Sequence, residues 1–403
     1  MRIVQINAVY QYSSTGRTTE EMHHYLLDHG HESFVFCLKN SSNEERNIYK
    51  VVTLLQYRIA GVQSRLTGLQ AYHSKNATRK VLKELDKIQP EIVIIRNVHS
   101  DYINLPVLLN YLAQKQIATI VVLHDCFLFT GHCYHYTKLG GEKWQSECDG
   151  CPQLKVGNPR WFFDRSQKEF QDKKILFGAI KDLAVVGVSD WITNESKKSV
   201  ILANAKTFKR IYNWIDLDIF KPHSTQELRK EMGSVDDFVV LGIAQSWSEA
   251  KGLSVFIQIA NRFPSVKVIM VGNITKEQKT LLPANIITPG TLNSKSVLSD
   301  YYAMADVFIN PSVQETFGKV TAEALSCGTP VIANNATANP ELVGDCGALV
   351  TDNCIDDYTS ILNCIIEKGK SFYSQRCRQR AEEFFDKNKN MEQYMELFQE
   401  ITH

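Results

Sequence analysis

The 403-residue sequence predicts an α/β protein made of two parallel-sheet domains. Three observations predict it. Short apolar, β-branched runs alternate with helical stretches along the whole chain, as they do where crossover helices join parallel strands. The runs carry little polar alternation, which suits strands buried on both faces. The pattern restarts after the polar stretch 221–237, and a chain of this length divides into two or three units at roughly 100–200 residues each.

In chain order, Ile3–Val9, Ser33–Leu38, Glu91–Ile95, Ile117–His124 and Leu183–Val188 read as the strands of the first domain. Phe238–Ala244, Val266–Val271, Val307–Asn310 and Pro330–Ala333 read as those of the second. The expected division is 1–210, 211–385 and a C-terminal helix at 386–403 that packs back on the first domain. Ser371–Ile401 reads as one or two amphipathic helices. A Cys- and aromatic-rich segment interrupts the first domain at about residues 125–165, where Gly140-Gly141 and Gly157-Asn158-Pro159 exclude a regular helix. An insertion this long is more often functional than idle.

Composition narrows the function. Lys+Arg is 45 and Asp+Glu is 44, for a net charge of +1, so nucleic acid is not the expected partner. Hydrophobic residues at 44% and charged residues at 22% exclude disorder as the main state. No apolar run reaches the ~18 residues that span a bilayer. The opening MRIVQINAVYQY reads as a first strand rather than a secretory signal. The expected location is therefore cytoplasmic, or peripheral on the inner face of the cell membrane. Ten scattered cysteines do not make a disulfide framework.

The segment Asn310-Pro-Ser-Val-Gln-Glu-Thr-Phe-Gly-Lys-Val-Thr-Ala-Glu-Ala-Leu-Ser-Cys-Gly-Thr-Pro carries most of the chemistry. It reads as a strand, a tight loop and a helix that starts near Phe317, with Gly328 ending that helix. Such a unit lies at the C-terminal edge of a parallel sheet, where open α/β sheets bind ligands. Gly318 allows close backbone approach, and free N–H groups at a helix start attract phosphate. Glu315 lies in the loop, and Glu323 lies in the helix, where a carboxylate can accept from sugar hydroxyls. A diphosphate between two sugars satisfies all three features.

The pair Glu315…Glu323 has the spacing of the E-x7-E motif, and this region resembles the retaining GT-B glycosyltransferases of family 4. Phe317-Gly318, Glu323-Ala324, Cys327-Gly-Thr-Pro-Val-Ile-Ala333 and Asn339-Pro-Glu-Leu342 resemble that family too. Pro340 suits the first position of a helix capped by Asn339. The resemblance implies a GT-B architecture, two Rossmann-like parallel-sheet domains facing a central cleft. It implies that Glu315 contacts the donor sugar, that Phe317, Gly318 and Lys319 offer backbone groups to the diphosphate, and that Glu323 holds the ribose. Lys251 of Lys251-Gly252 would neutralise the leaving diphosphate. The family usually carries an arginine five or six residues earlier, where this chain has Ser246 and Gln245, so Ser246 is expected to donate a neutral bond instead. Gly16 would stand in a phosphate- and acceptor-facing loop, His124 near the donor sugar, and the backbone at Leu292 against the base. The resemblance requires no cofactor.

Cys126, His132, Cys133, His135, Cys148 and Cys151 crowd into one segment, with Cys148 and Cys151 as a C-x2-C pair. Cys148 and Cys151, completed by Cys133 with His132 or His135, could make a structural zinc site. A disulfide and buried free thiols are the other readings. Residues 155–210 hold twelve Lys/Arg against six Asp/Glu and include Trp161-Phe162-Phe163. Basic and aromatic side chains together suit an anionic membrane surface, and a solvated face over a buried aromatic cluster suits them equally.

These readings converge on a retaining glycosyltransferase. It would move a hexose or N-acetylhexosamine from a nucleotide diphosphate sugar, with UDP expected from family frequency. The expected acceptor is a lipid-linked glycan in bacterial surface polysaccharide synthesis, such as capsule or O-antigen. A non-catalytic nucleotide-sugar-binding protein of the same fold and a nucleotide-sugar epimerase are the alternatives.

Overall fold

The computed structural model describes residues 1–40, 45–138, 140–156 and 159–402. The chain forms two compact units, Met1–Ile211 with Met391–His403, and Tyr212–Asn390.

The sheet of the first unit has the order β3-β2-β1-β4-β5-β6-β7. Its strands are β1 (Arg2–Val9), β2 (Glu32–Lys39), β3 (Ile48–Lys50), β4 (Ile92–Ile95), β5 (Ala118–Leu123), β6 (Leu183–Gly187) and β7 (Thr207–Arg210), all paired in parallel. Every residue of β4, β5 and β6 is buried, because helices cover both faces of a parallel sheet. The sheet of the second unit has the order β10-β9-β8-β11-β12-β13. Its strands are β8 (Val239–Ser246), β9 (Lys267–Asn273), β10 (Ile286–Gly290), β11 (Val307–Asn310), β12 (Val331–Asn334) and β13 (Gly347–Val350), again all parallel.

The strands expected from the sequence are present with ends moved by one or two residues. Four strands were not expected, and each is an edge: β3 and β7 in the first sheet, β10 and β13 in the second. Edge strands are short and partly exposed. They lack the continuous apolar run that marks a strand buried on both faces.

In each sheet the strand order reverses at one point, between β1 and β4 and between β8 and β11. Ligands of open α/β sheets bind beyond the carboxyl ends of the strands at such a reversal.

Candidate active site

The second unit brings two distant loops together at its reversal point. Strand β8 ends at Ser246, and a 3₁₀ turn, Glu249–Lys251, follows. Gly252 then takes φ +75° and starts helix Leu253–Arg262. A Cβ on Gly252 would lie 2.2 Å from Pro311 Cγ, so only glycine lets this turn meet the loop after β11. The close approach places Lys251 Nζ 3.1 Å from Glu315 Oε1 and 3.4 Å from Ser312 Oγ.

The receiving loop is held by the backbone. Glu315 N–H donates to Thr337 Oγ1 at 3.0 Å, and Glu315 O accepts from Ala338 N at 3.2 Å. Asn339 Nδ2 donates to Ser312 O, and Asn353 Nδ2 to Pro311 O, each at 3.0 Å. Asn339 is therefore not the expected cap. It lies inside helix Asn339–Val343, and its amide braces the Ser312 loop.

Helix Lys319–Ser326 starts two residues later than expected, because Gly318 sits at φ +84° outside helical geometry. The helix has no side-chain cap, and with the Thr321 N–H turned to Gly318 O at 2.9 Å it offers an anion the N–H groups of Lys319 and Val320. Phe317 is buried and its ring packs edge-on against Phe385, so its contribution to a ligand is limited to backbone. Glu323 is buried, and its Oε2 accepts from Tyr302 O–H at 2.9 Å. Burial and that carboxylate push the Tyr302 hydroxyl well above its usual range, so it stays a proton donor. Ser246 is exposed, and Leu292 follows the turn at Gly290 after β10. A lysine ammonium, a serine hydroxyl and an uncapped helix start make an oxyanion-binding set, and two carboxylates flank it in sequence.

The first unit holds Gly16 and His124. Gly16 is in the first turn of helix Ser13–Asp28 rather than in a loop. A Cβ there would lie 3.2 Å from Gln11 N, and Gly16 O accepts from that N–H at 3.2 Å. The chain turns sharply through Gln11 and Ser13, both at positive φ, and enters the helix early.

His124 follows β5. Its Nε2 lies 3.1 Å from Arg96 Nη1. A guanidinium only donates, so this bond requires Nε2 to accept and puts the ring proton on Nδ1. Arg96 is buried and also donates to Gln5 Oε1 at 3.2 Å and to Met22 Sδ at 3.1 Å.

Beside it is a group the sequence reading missed. His99 Nε2 lies 3.0 Å from Asp125 Oδ2, and Asn97 Nδ2 donates to the same oxygen at 3.2 Å. Phe127 N–H donates to Asp125 Oδ1 at 2.8 Å. Burial pushes the Asp125 carboxyl up, but His99 and the Phe127 N–H outweigh it and hold the group below the usual carboxylate range. The signal was His99 four residues after β4, a strand end next to the one that carries His124.

The Cys/His segment is pinned from below. Lys173 is buried and donates to the carbonyls of Phe127, Thr130 and Gly131 at 2.6, 3.0 and 3.2 Å. Gly157-Asn158 of that segment lies outside the described residues. His132, one of the residues expected as ligands, is engaged elsewhere. His132 Nδ1 is bonded to Arg160, whose guanidinium also binds Glu169, so this buried network takes the imidazole away from the thiols. Cys133 and Cys151 are free thiols that share a hydrogen bond, which raises the first thiol and lowers the second to about 7. Cys148 is a buried free thiol. Among the described residues no group of three or more His, Cys, Asp or Glu is placed to hold a metal ion.

Comparison with known proteins adds similarities to this geometry. Residues 237–368 match the model for glycosyl transferases group 1. The D-inositol 3-phosphate glycosyltransferase of Mycolicibacterium smegmatis is 26% identical over 205 residues, 47% of each chain. The N-acetyl-alpha-D-glucosaminyl L-malate synthase of Bacillus anthracis is 23% identical over 250 residues, 56% of this chain and 62% of that one. The matched part thus spans about half the length of the first of these relatives. Among solved structures, a glycosyltransferase from Rickettsia africae superposes with a TM-score of 0.71 at 15% identity, over 99% of this chain and 98% of the other. Anabaena HepE, solved with UDP and glucose, superposes with a TM-score of 0.66 at 17% identity, over 99% of each chain. The chain has the GT-B fold, and its residues 237–368 are similar to the glycosyl transferases group 1 model.

Proposed function

We propose that the protein transfers a hexose or N-acetylhexosamine, with retention, from a nucleotide diphosphate sugar to a glycan acceptor. The observation that carries this reading is the Lys251–Glu315 pair at the reversal of the second sheet, on the loop that leads into an uncapped helix. The names of the relatives and the UDP in the HepE structure support a nucleotide sugar, UDP first.

In this reading the leaving diphosphate gathers negative charge as the glycosidic bond breaks. Lys251 Nζ, Ser312 Oγ and the first N–H groups of helix Lys319–Ser326 face that charge. Binding the diphosphate draws Lys251 away from Glu315 and frees the carboxylate to orient the sugar. Glu323, fixed by Tyr302, accepts from the ribose hydroxyls. His124, with its proton on Nδ1, is a hydrogen-bond donor suited to a sugar hydroxyl. The acceptor hydroxyl attacks the anomeric carbon from the face that the phosphate leaves, so the new bond to the acceptor oxygen replaces the broken bond to the diphosphate oxygen with the anomeric configuration retained, and the departing phosphate takes the acceptor proton. A lipid-linked glycan acceptor in bacterial surface polysaccharide synthesis fits a peripheral place at the inner membrane face, and no helix among the described residues is long and apolar enough to cross a membrane.

The test is nucleotide release from a panel of UDP-, GDP-, CDP- and ADP-sugars, with the anomeric configuration of the product read by NMR. Glu315→Ala should abolish turnover and keep nucleotide binding. Unchanged activity in that variant would favour a non-catalytic binding protein.

A further inference from the structure

Helix Leu54–Thr67 is built inside out. Its ends are well defined: Thr53 and Gln56 form a reciprocal capping box, and Gly68 closes it at φ +73°. Its buried residues are Ala60 and Ser64, small side chains one turn apart. The large apolar residues point the other way. Leu55, Ile59, Val62 and Leu66 recur at helical spacing and are exposed by 68%, 50%, 44% and 41%. A helix that packs by its apolar stripe shows the reverse arrangement.

A second apolar set joins it. Trp161, Phe162 and Phe163 are exposed by 50%, 68% and 51%. Trp161 N–H donates to Arg65 O at 2.9 Å, and a Cβ on Gly68 would lie 2.2 Å from Phe163 O. The aromatic loop therefore lies against the C-terminal end of the helix, and the two sets share one surface of the first unit. Soluble proteins rarely expose an apolar patch of this extent without a use for it.

Charge identifies the occupant. The helix carries Arg58 and Arg65 and no acidic residue. Lys155 and Arg165 are exposed beside the aromatics, with the Arg165 guanidinium 5.5 Å from the Phe163 ring centre. The one acidic residue in 155–165, Asp164, is engaged by Cys151 N, Ser166 N, Ser166 Oγ and the buried Arg160. An apolar stripe, an aromatic trio and the exposed cations Arg58, Lys155 and Arg165 match the boundary of an anionic bilayer, where apolar groups enter the acyl region and cations meet headgroups. We infer that helix Leu54–Thr67 and the Trp161–Phe163 loop together form a docking surface for an anionic lipid membrane. This deepens the reading of a lipid-linked acceptor without depending on it.

The test is co-sedimentation of the full chain with phosphatidylcholine vesicles, with and without phosphatidylglycerol, in the absence of any sugar donor. The chain should bind the anionic vesicles, and raised salt should weaken that binding. Ile59→Ser/Val62→Ser and, separately, Phe162→Ser/Phe163→Ser should each lower the partition coefficient about tenfold or more. The melting temperature should hold, since these side chains are exposed. Absence of binding to anionic vesicles would overturn the inference. So would unchanged binding by both variants, or a concentration-dependent dimer that the variants dissolve while vesicles bind nothing. Each of these outcomes leaves the nucleotide-release test of the transfer reaction standing.

Discussion

Lys251 Nζ and Glu315 Oε1 are 3.1 Å apart although 64 residues separate them in sequence. The contact exists because the turn at Gly252 presses against Pro311. It ties the two loops of the reversal point and gives the lysine a carboxylate partner that a diphosphate can displace. Lys251→Met should weaken nucleotide binding by roughly 2–3 kcal/mol, the scale of a charge-assisted hydrogen bond. Glu315→Gln should leave that affinity equal or stronger and lower kcat by about 100-fold or more. Titration calorimetry and steady-state kinetics separate the two effects.

Gly252→Ala should be costly for a side chain of one carbon. It forces a Cβ to 2.2 Å from Pro311 Cγ on a residue at φ +75°. The expected loss is about 1–3 kcal/mol of stability, read by denaturant unfolding, with a raised KM for the donor. Gly61→Ala, where a Cβ meets nothing within 4 Å in the middle of a helix, should be neutral or stabilising by comparison.

Tyr302→Phe isolates what holds Glu323. The change removes the hydroxyl that donates to Glu323 Oε2 and leaves a buried carboxylate one bond short. KM for the donor should rise several-fold with kcat nearly unchanged, because the ribose contact is made equally in ground and transition states. A fall in kcat alone would place Glu323 nearer the chemistry than the proposed mechanism has it.

Asp101 gives a pH signature in stability. Burial pushes its carboxyl up to about 7, while the Ala71 N–H at 2.7 Å and Ser64 pull it down. A raised carboxyl binds its proton more tightly in the folded state than in the unfolded one. Its contribution is therefore full below the unfolded value near 3.8 and is lost as pH rises towards about 7. Asp101→Asn should remove that fall, and the variant should gain on the wild type, on the order of 1–3 kcal/mol, between acid and neutral pH. Urea unfolding across that range measures the difference.

The sequence announced what is buried on both sides and was silent on what is not. The inner strands β1, β4, β5, β8 and β11 were legible as apolar runs, whereas β3, β7, β10 and β13 were hidden by their place at the edges. The 310–330 segment was legible because Gly318 and Gly328 punctuate it, and both take positive φ. Gly16 is placed in a loop by the resemblance, whereas here it lies in the first turn of a helix and the sharp bend falls earlier, at Gln11 and Ser13. His132 joins the thiols by proximity in sequence, while in the fold its Nδ1 bonds to Arg160, 28 residues on, beside Glu169, 37 residues on. The His99–Asp125 pair joins two strand ends, so only the sheet order brings it together.

The most direct test of the central claim is a calorimetric titration of the wild type and Lys251→Met with UDP and GDP. The account predicts that one nucleotide diphosphate saturates the wild type and that the substitution weakens it about 30-fold or more. Equal affinity in the two proteins, or no binding by the wild type to either nucleotide, would contradict the assignment of the Lys251–Glu315 loop pair as the diphosphate site.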